Sequence, residues 1–436
     1  MAHKTAGAIV TAKRAYSAAV QQKREAMITQ IVVAATRRFN RQGFSNTTME
    51  DVGGDVSLLP GALYHYVKDK DELAYLCLIN GCEMRARQLQ AADEHGVDGL
   101  EKVRRYVRSV LKTGQSRMPV FNELNALSEP RRREVRQRIR ANNEHLRRYI
   151  EEGIADGSVA PSDAKLTALA IISVIDWISF WYTTRRGYQP EQAAAILEDL
   201  ITHGAYRRDL PVVQFPPLEE EPFPPTPAFT SPVEQRRDDI LRAAMTAFNQ
   251  NGFPGASVDQ IAALAKVTRA TVYRYFDNKE ELLFHCMRRA DAFNQAAVDH
   301  VPAGSDVVDQ EIWLRRFLFH GHTTQAGPLR TYSLLASLTP AHRQELMGSI
   351  DSVIEWDLGR IERGIEQGYY RRVDPYLAER IRSGLFSWFP VWFRADGPRS
   401  AIEIADHHTA LFLYGLKPRP SQTRFLSKLP AESKPG

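Results

Sequence analysis

Two stretches of this chain carry one pattern. Gly43-Phe44 and Gly252-Phe253 lie 209 residues apart, and at that spacing Ala34-Ala35 pairs with Ala243-Ala244 and Phe39-Asn40 with Phe248-Asn249. Tyr64 pairs with Tyr273, Tyr66 with Tyr275, Lys70 with Lys279, Glu72-Leu73 with Glu281-Leu282 and Cys77 with Cys286, with no gap from Ile31 to Cys77. Far downstream the register returns at an offset of 211: Gly153 and Gly157 pair with Gly364 and Gly368, and Trp177 and Trp181 with Trp388 and Trp392. Self-similarity on this scale dictates the architecture, because whatever one half folds into the other must repeat.

Within each copy the apolar residues recur with a period near 3.6, and no alternating strand with hairpin turns interrupts them. The expectation is an all-α chain of two tandem units. Each holds a small N-terminal helix-turn-helix domain of three helices and a larger helical bundle. The boundaries read as a basic disordered tail over 1–22, domains over 23–75 and 76–207, a linker over 208–233, domains over 234–282 and 283–416, and a flexible tail over 417–436. Between the units, Pro211 to Pro232 holds eight prolines around the acidic run Glu219–Glu221. In the polyproline II form, at about 3.1 Å per residue, that stretch spans on the order of 60 Å.

Charge and cysteine count narrow the function classes. With 436 residues, 43% hydrophobic and 25% charged, the chain is composed like a buried globular protein, and its net charge of +5 permits a polyanionic partner without demanding one. The three cysteines, Cys77, Cys82 and Cys286, form no disulfide framework and no zinc spacing. Cys77 and Cys286 read as small buried apolar residues. His320-Gly-His322 and His407-His408 lack a third ligand at metal spacing. No metal, cofactor or catalytic constellation is expected, and so no enzyme. With neither a signal-type leader nor an 18-residue uncharged apolar run, the expected location is the cytoplasm, away from any membrane.

The chemistry-bearing segment opens each copy. A first helix runs from about Glu25 to Gln42, and Gly43 and Gly252 stand where a helix-terminating glycine belongs. Thr48-Met-Glu-Asp51 and Ser257-Val-Asp-Gln260 read as capping boxes of a second helix. A third helix is expected near Leu59 in the first copy and at Thr268 in the second. Asp69-x-x-Glu72 and Asn278-x-x-Glu281 cap a fourth. Two short helices around a tight turn are a helix-turn-helix, whose second helix enters the major groove of DNA. In the second copy it reads Thr268-Arg-Ala-Thr-Val-Tyr-Arg-Tyr-Phe276, with Val272 and Phe276 facing inward. Arg269 suits a base edge, above all guanine, and Thr268, Thr271, Tyr273, Arg274 and Lys279 suit phosphate oxygens.

These residues resemble the DNA-binding signature of TetR-type repressors. GFxxxSVDQIAALAKVTRATVYRYFDNKEELL is similar to it, and GFSNTTMEDVGGDVSLLPGALYHYVKDKDELA is a more divergent example. The resemblance implies DNA contacts at Thr48, Pro60, Ala62, Tyr64, His65 and Lys70 in the first copy. In the second it implies Ser257, Arg269, Thr271, Tyr273, Arg274 and Lys279. The first copy departs from the pattern: Gly53-Gly54 weaken its second helix, and Leu59 replaces the expected Ser or Thr cap. Ser57 and Lys266 stand where the turn glycine usually does.

The resemblance further implies that the bundles bind a small effector and supply a dimer interface. Their last segments are similar to a branch of the family that senses acyl-CoA thioesters. Trp177, Trp181, Trp388 and Trp392, with Arg394, are candidates either for lining the effector pocket or for packing at the interface. The expected partners are double-stranded operator DNA, a small-molecule effector and the other half of the same chain as a pseudo-dimer, with a further homodimer left open. Because the two copies differ, the preferred operator should be an imperfect palindrome. A competing reading is a helical ligand- or partner-binding protein whose first DNA-binding unit has degenerated.

Overall fold

The computed structural model describes residues 2–59, 61–112, 124, 127–182, 187–215, 229–324, 327–328 and 332–419, with side chains from residue 19 onward except those of Lys112 and Tyr332. The first unit comprises α1 (Ala2–Gln42), α2 (Met49–Asp55), a 3-10 turn (Ala62–His65), α3 (Lys70–His95), α4 (Gly99–Lys112), α5 (Glu129–Asp156), α6 (Ala164–Trp181) and α7 (Pro190–His203). The second comprises α8 (Pro232–Gly255), α9 (Val258–Leu264), α10 (Arg269–Tyr275), α11 (Lys279–Asp299), α12 (Val307–Thr323), a 3-10 turn (Tyr332–Ser337), α13 (Pro340–Glu366), α14 (Pro375–Ser387), α15 (Phe389–Trp392) and α16 (Ala401–Tyr414). The fold is all-α. Among the described residues the one bridge of β type joins Tyr206 to Tyr370.

The repeat is written into the helix ends. Gly43 and Gly252 have φ of 77° and 69°, and Gly157 and Gly368 have φ of 81° and 78°, the left-handed conformation that stops a helix without a Cβ clash. Asp163 caps α6 through the amides of Lys165 and Leu166, and Asp374 caps α14 through the amide of Leu377. α1 reaches back to Ala2, across the segment expected to be a disordered tail.

Each N-terminal domain has its own apolar core, around Ile31, Phe39, Val52 and Leu73 in one and Ile240, Phe248, Ile261 and Leu282 in the other. The two bundles share a third core that runs across both units. Inside the second bundle that core is interrupted by charge. Arg360 and Glu311 pair with essentially no exposure, Arg315 joins Glu311 at 2.8 Å, and Arg382 pairs with Asp357 beside Glu379. At the 211-residue offset the first unit has Tyr149, Ile171, Leu146 and Ala168 where the second has Arg360, Arg382, Asp357 and Glu379.

The seam between the bundles is reciprocal. The amide of Ala205 donates to Phe412 O and that of Leu416 to Ile201 O; Tyr206 donates to Leu413 O and Lys417 to Thr202 O; Ala160 donates to Leu416 O and Arg371 to Ala205 O. In each pair, donor and acceptor exchange units at an offset of 211, the signature of a twofold contact. α6, α7, α14 and α16 meet here, and α6 crosses α14 where a Cβ on Gly384 would stand 2.9 Å from Val174 Cα. By length and composition α6 can cross a bilayer, yet 61% of that window is buried inside the protein, as in a core helix.

Parts of both connecting segments are pinned to this seam. Val213 hydrogen-bonds to the Tyr414 hydroxyl, and Phe215 packs against the shared core. Residues 216–228, the rest of the proline-rich linker, lie outside the described residues. Arg419, in the segment expected to be a flexible tail, is 4% exposed and donates to the carbonyls of Arg207, His203 and Tyr206.

Candidate nucleic-acid interface

In the second unit the helix-turn-helix forms as its sequence dictates. Ser257 caps α9 by accepting from the Gln260 amide at 3.0 Å, but the box does not close, because the Gln260 side chain accepts instead from Asn251. Lys266 turns the chain with φ of 54°, and Thr268 caps α10 through the Thr271 amide at 3.1 Å. Val272 is buried, which leaves Arg269, Tyr273 and Arg274 exposed on the outer face, with Thr271 half-buried beside them. The Arg269 guanidinium stands 5.6 Å from the Tyr273 ring centroid and 3.1 Å from the Asp259 carboxylate. Arg269 is therefore already partnered, and any base edge would have to compete with Asp259 for it.

The first unit diverges at the recognition element. α2 carries a complete capping box between Thr48 and Asp51. The helix expected near Leu59 is absent; Ala62–His65 form one 3-10 turn, preceded by Gly61 at φ of 84° with no side-chain cap. The reason is local: with Leu59 in place of a Ser or Thr, no side chain caps the first-turn amides, and Gly61 in the left-handed region cannot start an α-helix. Pro60 lies outside the described residues. Tyr64 and His65 are exposed and Ala62 is half-buried.

The paired lysines do the same work in both heads. Lys70 Nζ approaches Ser45 O at 3.5 Å over the Phe44 ring, and Lys279 Nζ donates to Ala256 O at 3.0 Å over the Phe253 ring. Each lysine opens a helix capped by Asp69 or Asn278 and fastens the corner that follows the first helix. Cys77 and Cys286 sit behind it, buried against Val32 O and Leu241 O, and burial pushes the Cys77 thiol up to about 12.

The tryptophans are not equivalent. Trp177 and Trp181 lie on the unbroken α6, where Trp177 stacks on Phe180, Phe180 reaches Trp388 across the seam, and Trp181 meets Tyr376 edge-on at 5.9 Å. Trp388 and Trp392 do not share one helix as their counterparts do: the helix breaks at Trp388, since Pro390 stands in the first turn of α15 and supplies no amide. Trp392 packs on Phe389 and His408. Arg394 lines a separate cleft of 600 Å³ beneath α8, away from Trp177 and Trp181. Among the described residues no three His, Cys, Asp or Glu side chains gather as a metal site.

Two family descriptions match this arrangement, each of them twice. Bacterial regulatory proteins of the tetR family match residues 31–75 and 240–286, and the tetracyclin repressor-like C-terminal domain matches 98–205 and 316–416. The chain belongs to the TetR family. It is a tandem member, with both parts of a TetR unit present in each half. An uncharacterised HTH-type regulator of Bacillus subtilis, YhgD, is 28% identical over 182 residues, which is 40% of this chain and 94% of the relative. The repressor KstR2 of Mycobacterium tuberculosis is 24% identical over 197 residues, 42% of this chain and 94% of its own. The solved TetR regulator PfmR of Thermus thermophilus is 29% identical, covering 41% of this chain and 99% of its own, with a TM-score of 0.34. YhgD and KstR2, each matched over nearly its whole length, span about one unit of this chain, and this TetR chain is a DNA-binding transcriptional regulator with two units.

Sequence reasoning missed two features of these TetR units: the docking of the first head on the second unit, where Asn46 Nδ2 donates to Ala336 O, and the Arg269–Asp259 pair. Only the pair had a signal in the sequence, an acid ten residues before the arginine.

Proposed function

We propose that this chain is a one-polypeptide counterpart of a twofold repressor, holding two unequal reading heads against one operator and releasing it when a hydrophobic metabolite, such as an acyl-CoA thioester, binds the bundles. The reciprocal hydrogen bonds between Ala205 and Phe412 and between Leu416 and Ile201 carry the reading. They give the two bundles the contact that two separate subunits make about a twofold axis, and ordinary dimers of this kind set their recognition helices about 34–36 Å apart, one turn of DNA. The repressor sense is supported by the name of KstR2. Arg269, Thr271, Tyr273 and Arg274 on α10, with Ser257, Thr268 and Lys279 around it, are the stronger reading set. Thr48, Ala62, Tyr64, His65 and Lys70 are the weaker one.

The 3-10 turn over Ala62–His65 favours a second reading, in which the first head is scaffold and only the second reads sequence. One experiment separates them: binding-site selection from random DNA, followed by affinity measurements on Arg269→Ala/Tyr273→Ala and Tyr64→Ala/Lys70→Ala. The two-headed reading expects an imperfect palindrome and loss of affinity in both variants. Loss in the first alone assigns the first head to scaffold. A perfect palindrome contradicts unequal heads, and no selected sequence at all contradicts operator reading.

A further inference from the structure

A cleft of 640 Å³ opens at the seam, walled by α6 of the first unit, by α13 and α14 of the second, and by Arg37 and Arg41 of α1. That volume suits a small-molecule ligand. Its floor is aromatic and aliphatic, with Trp177, Trp181, Ile350 and Ile354.

Its polar groups are left incomplete by the protein itself. Arg380 is 7% exposed; its Nε is engaged by Glu379, while its Nη2 is buried with no partner. Arg343 spends Nη2 on the carbonyls of Ala336 and Leu338, while its Nε is buried with no partner. Burial lowers the Arg343 pKa from the ordinary guanidinium value. The Trp181 indole N–H is buried and unpartnered too. Buried donors of this kind cost free energy unless an acceptor arrives. Against the four arginines that line the cleft stands one lining carboxylate, Asp351, which is exposed.

We infer that the seam cleft binds an amphipathic anion, its hydrocarbon body against Trp177, Trp181, Ile350 and Ile354 and its carboxylate or phosphate head at Arg343 and Arg380. The site needs both units, since neither contributes all the walls. It also touches the first reading head, because α1 lines it and the head is docked beside it, with Asn46 Nδ2 donating to Ala336 O at 3.1 Å. Occupancy therefore bears on the first head more directly than on the second. That consequence rests on the ligand-responsive reading above, whereas binding itself does not.

The test titrates the full chain, without DNA, with decanoate, decyl phosphate and decanol, following tryptophan fluorescence and heat. Both anions should saturate, at least about tenfold more tightly than decanol, and the tighter of the two identifies the head group. Ile354→Trp fills the cleft without touching a charge and should abolish binding, and Arg343→Gln should weaken the anions about tenfold while leaving decanol unchanged. Circular dichroism and melting confirm that each variant is folded. Absence of saturation by either anion, equal affinity for decanol, or wild-type affinity in Ile354→Trp overturns the assignment. If operator affinity is unchanged when the titration is repeated with the selected DNA, saturable anion binding leaves the site standing and removes its role as the effector site.

Discussion

Gly204 and Gly415 occupy equivalent places in the two units and lie against each other: a Cβ on Gly204 would stand 2.6 Å from the Gly415 amide nitrogen. Both have φ of 69°, and each ends the last helix of its unit. The same Cβ would lie 2.2 Å from Leu413 O, and one on Gly415 would lie 2.5 Å from Thr202 O. Replacement by alanine at either position combines left-handed strain with a backbone clash, and should destabilise the chain by at least about 2 kcal/mol. Gly157→Ala has a similar φ of 81° but open space around it, and should cost about 1 kcal/mol. Denaturant titration of the three variants checks the order.

Ser57 and Lys266 are the only described non-glycine residues with positive φ, at 57° and 54°, and each turns the chain between two elements of a reading head. Ser57→Gly and Lys266→Gly relieve that strain while freeing the unfolded chain, for a net gain of about 0.5–1 kcal/mol each. Unchanged or lower denaturation midpoints would show the turns to be unstrained.

Asp259 pairs with Arg269 on the exposed face of α10 and, under the proposed DNA contact, adds a negative charge where phosphates would approach. Asp259→Asn should tighten operator binding severalfold at low salt and steepen its salt dependence, since more counterions are then released per complex. Weaker binding would mean that Asp259 orients Arg269 for its base rather than competing for it.

Three histidines of the second unit are held neutral by burial. His322 and His407 are pushed down to about 4 and His408 to about 3. His407 meets Thr167 Oγ1 at 2.9 Å beside the Arg399–Asp163 pair, whose charges act on it in opposite directions. Unfolding restores each to an ordinary pKa near 6.5, so below that pH the unfolded state takes up protons that the folded state refuses. Stability is complete above about pH 6.5 and should fall by roughly 1.4 kcal/mol per pH unit per histidine as pH drops toward 4. His408→Leu, matching Leu197 of the first unit, should flatten that slope in melts taken between pH 7.5 and 5.

The parts legible in the sequence are those decided by neighbours. The cap at Thr48 and its Asp51 partner, the caps at Thr268, Asp69 and Asn278, and the stops at Gly43 and Gly252 each join residues within one turn of helix, so a short pattern specifies them. Leu59 also announced the weakness of the first recognition element, but its outcome as a 3-10 turn depended on the backbone sign at Gly61.

By itself the sequence determined the helical class, the tandem repetition and the position of the helix-turn-helix segments, because periodicity, capping and repeat register are properties of the chain read locally. Tertiary structure alone decided where those pieces meet. It set Asn46 on Ala336, 290 residues away, crossed α6 over α14 at Gly384, and brought Arg343 and Arg380 to one cleft beside Trp177. No local pattern specifies such contacts, since they arise only when two bundles bury a common core and their helices find the register that close packing allows.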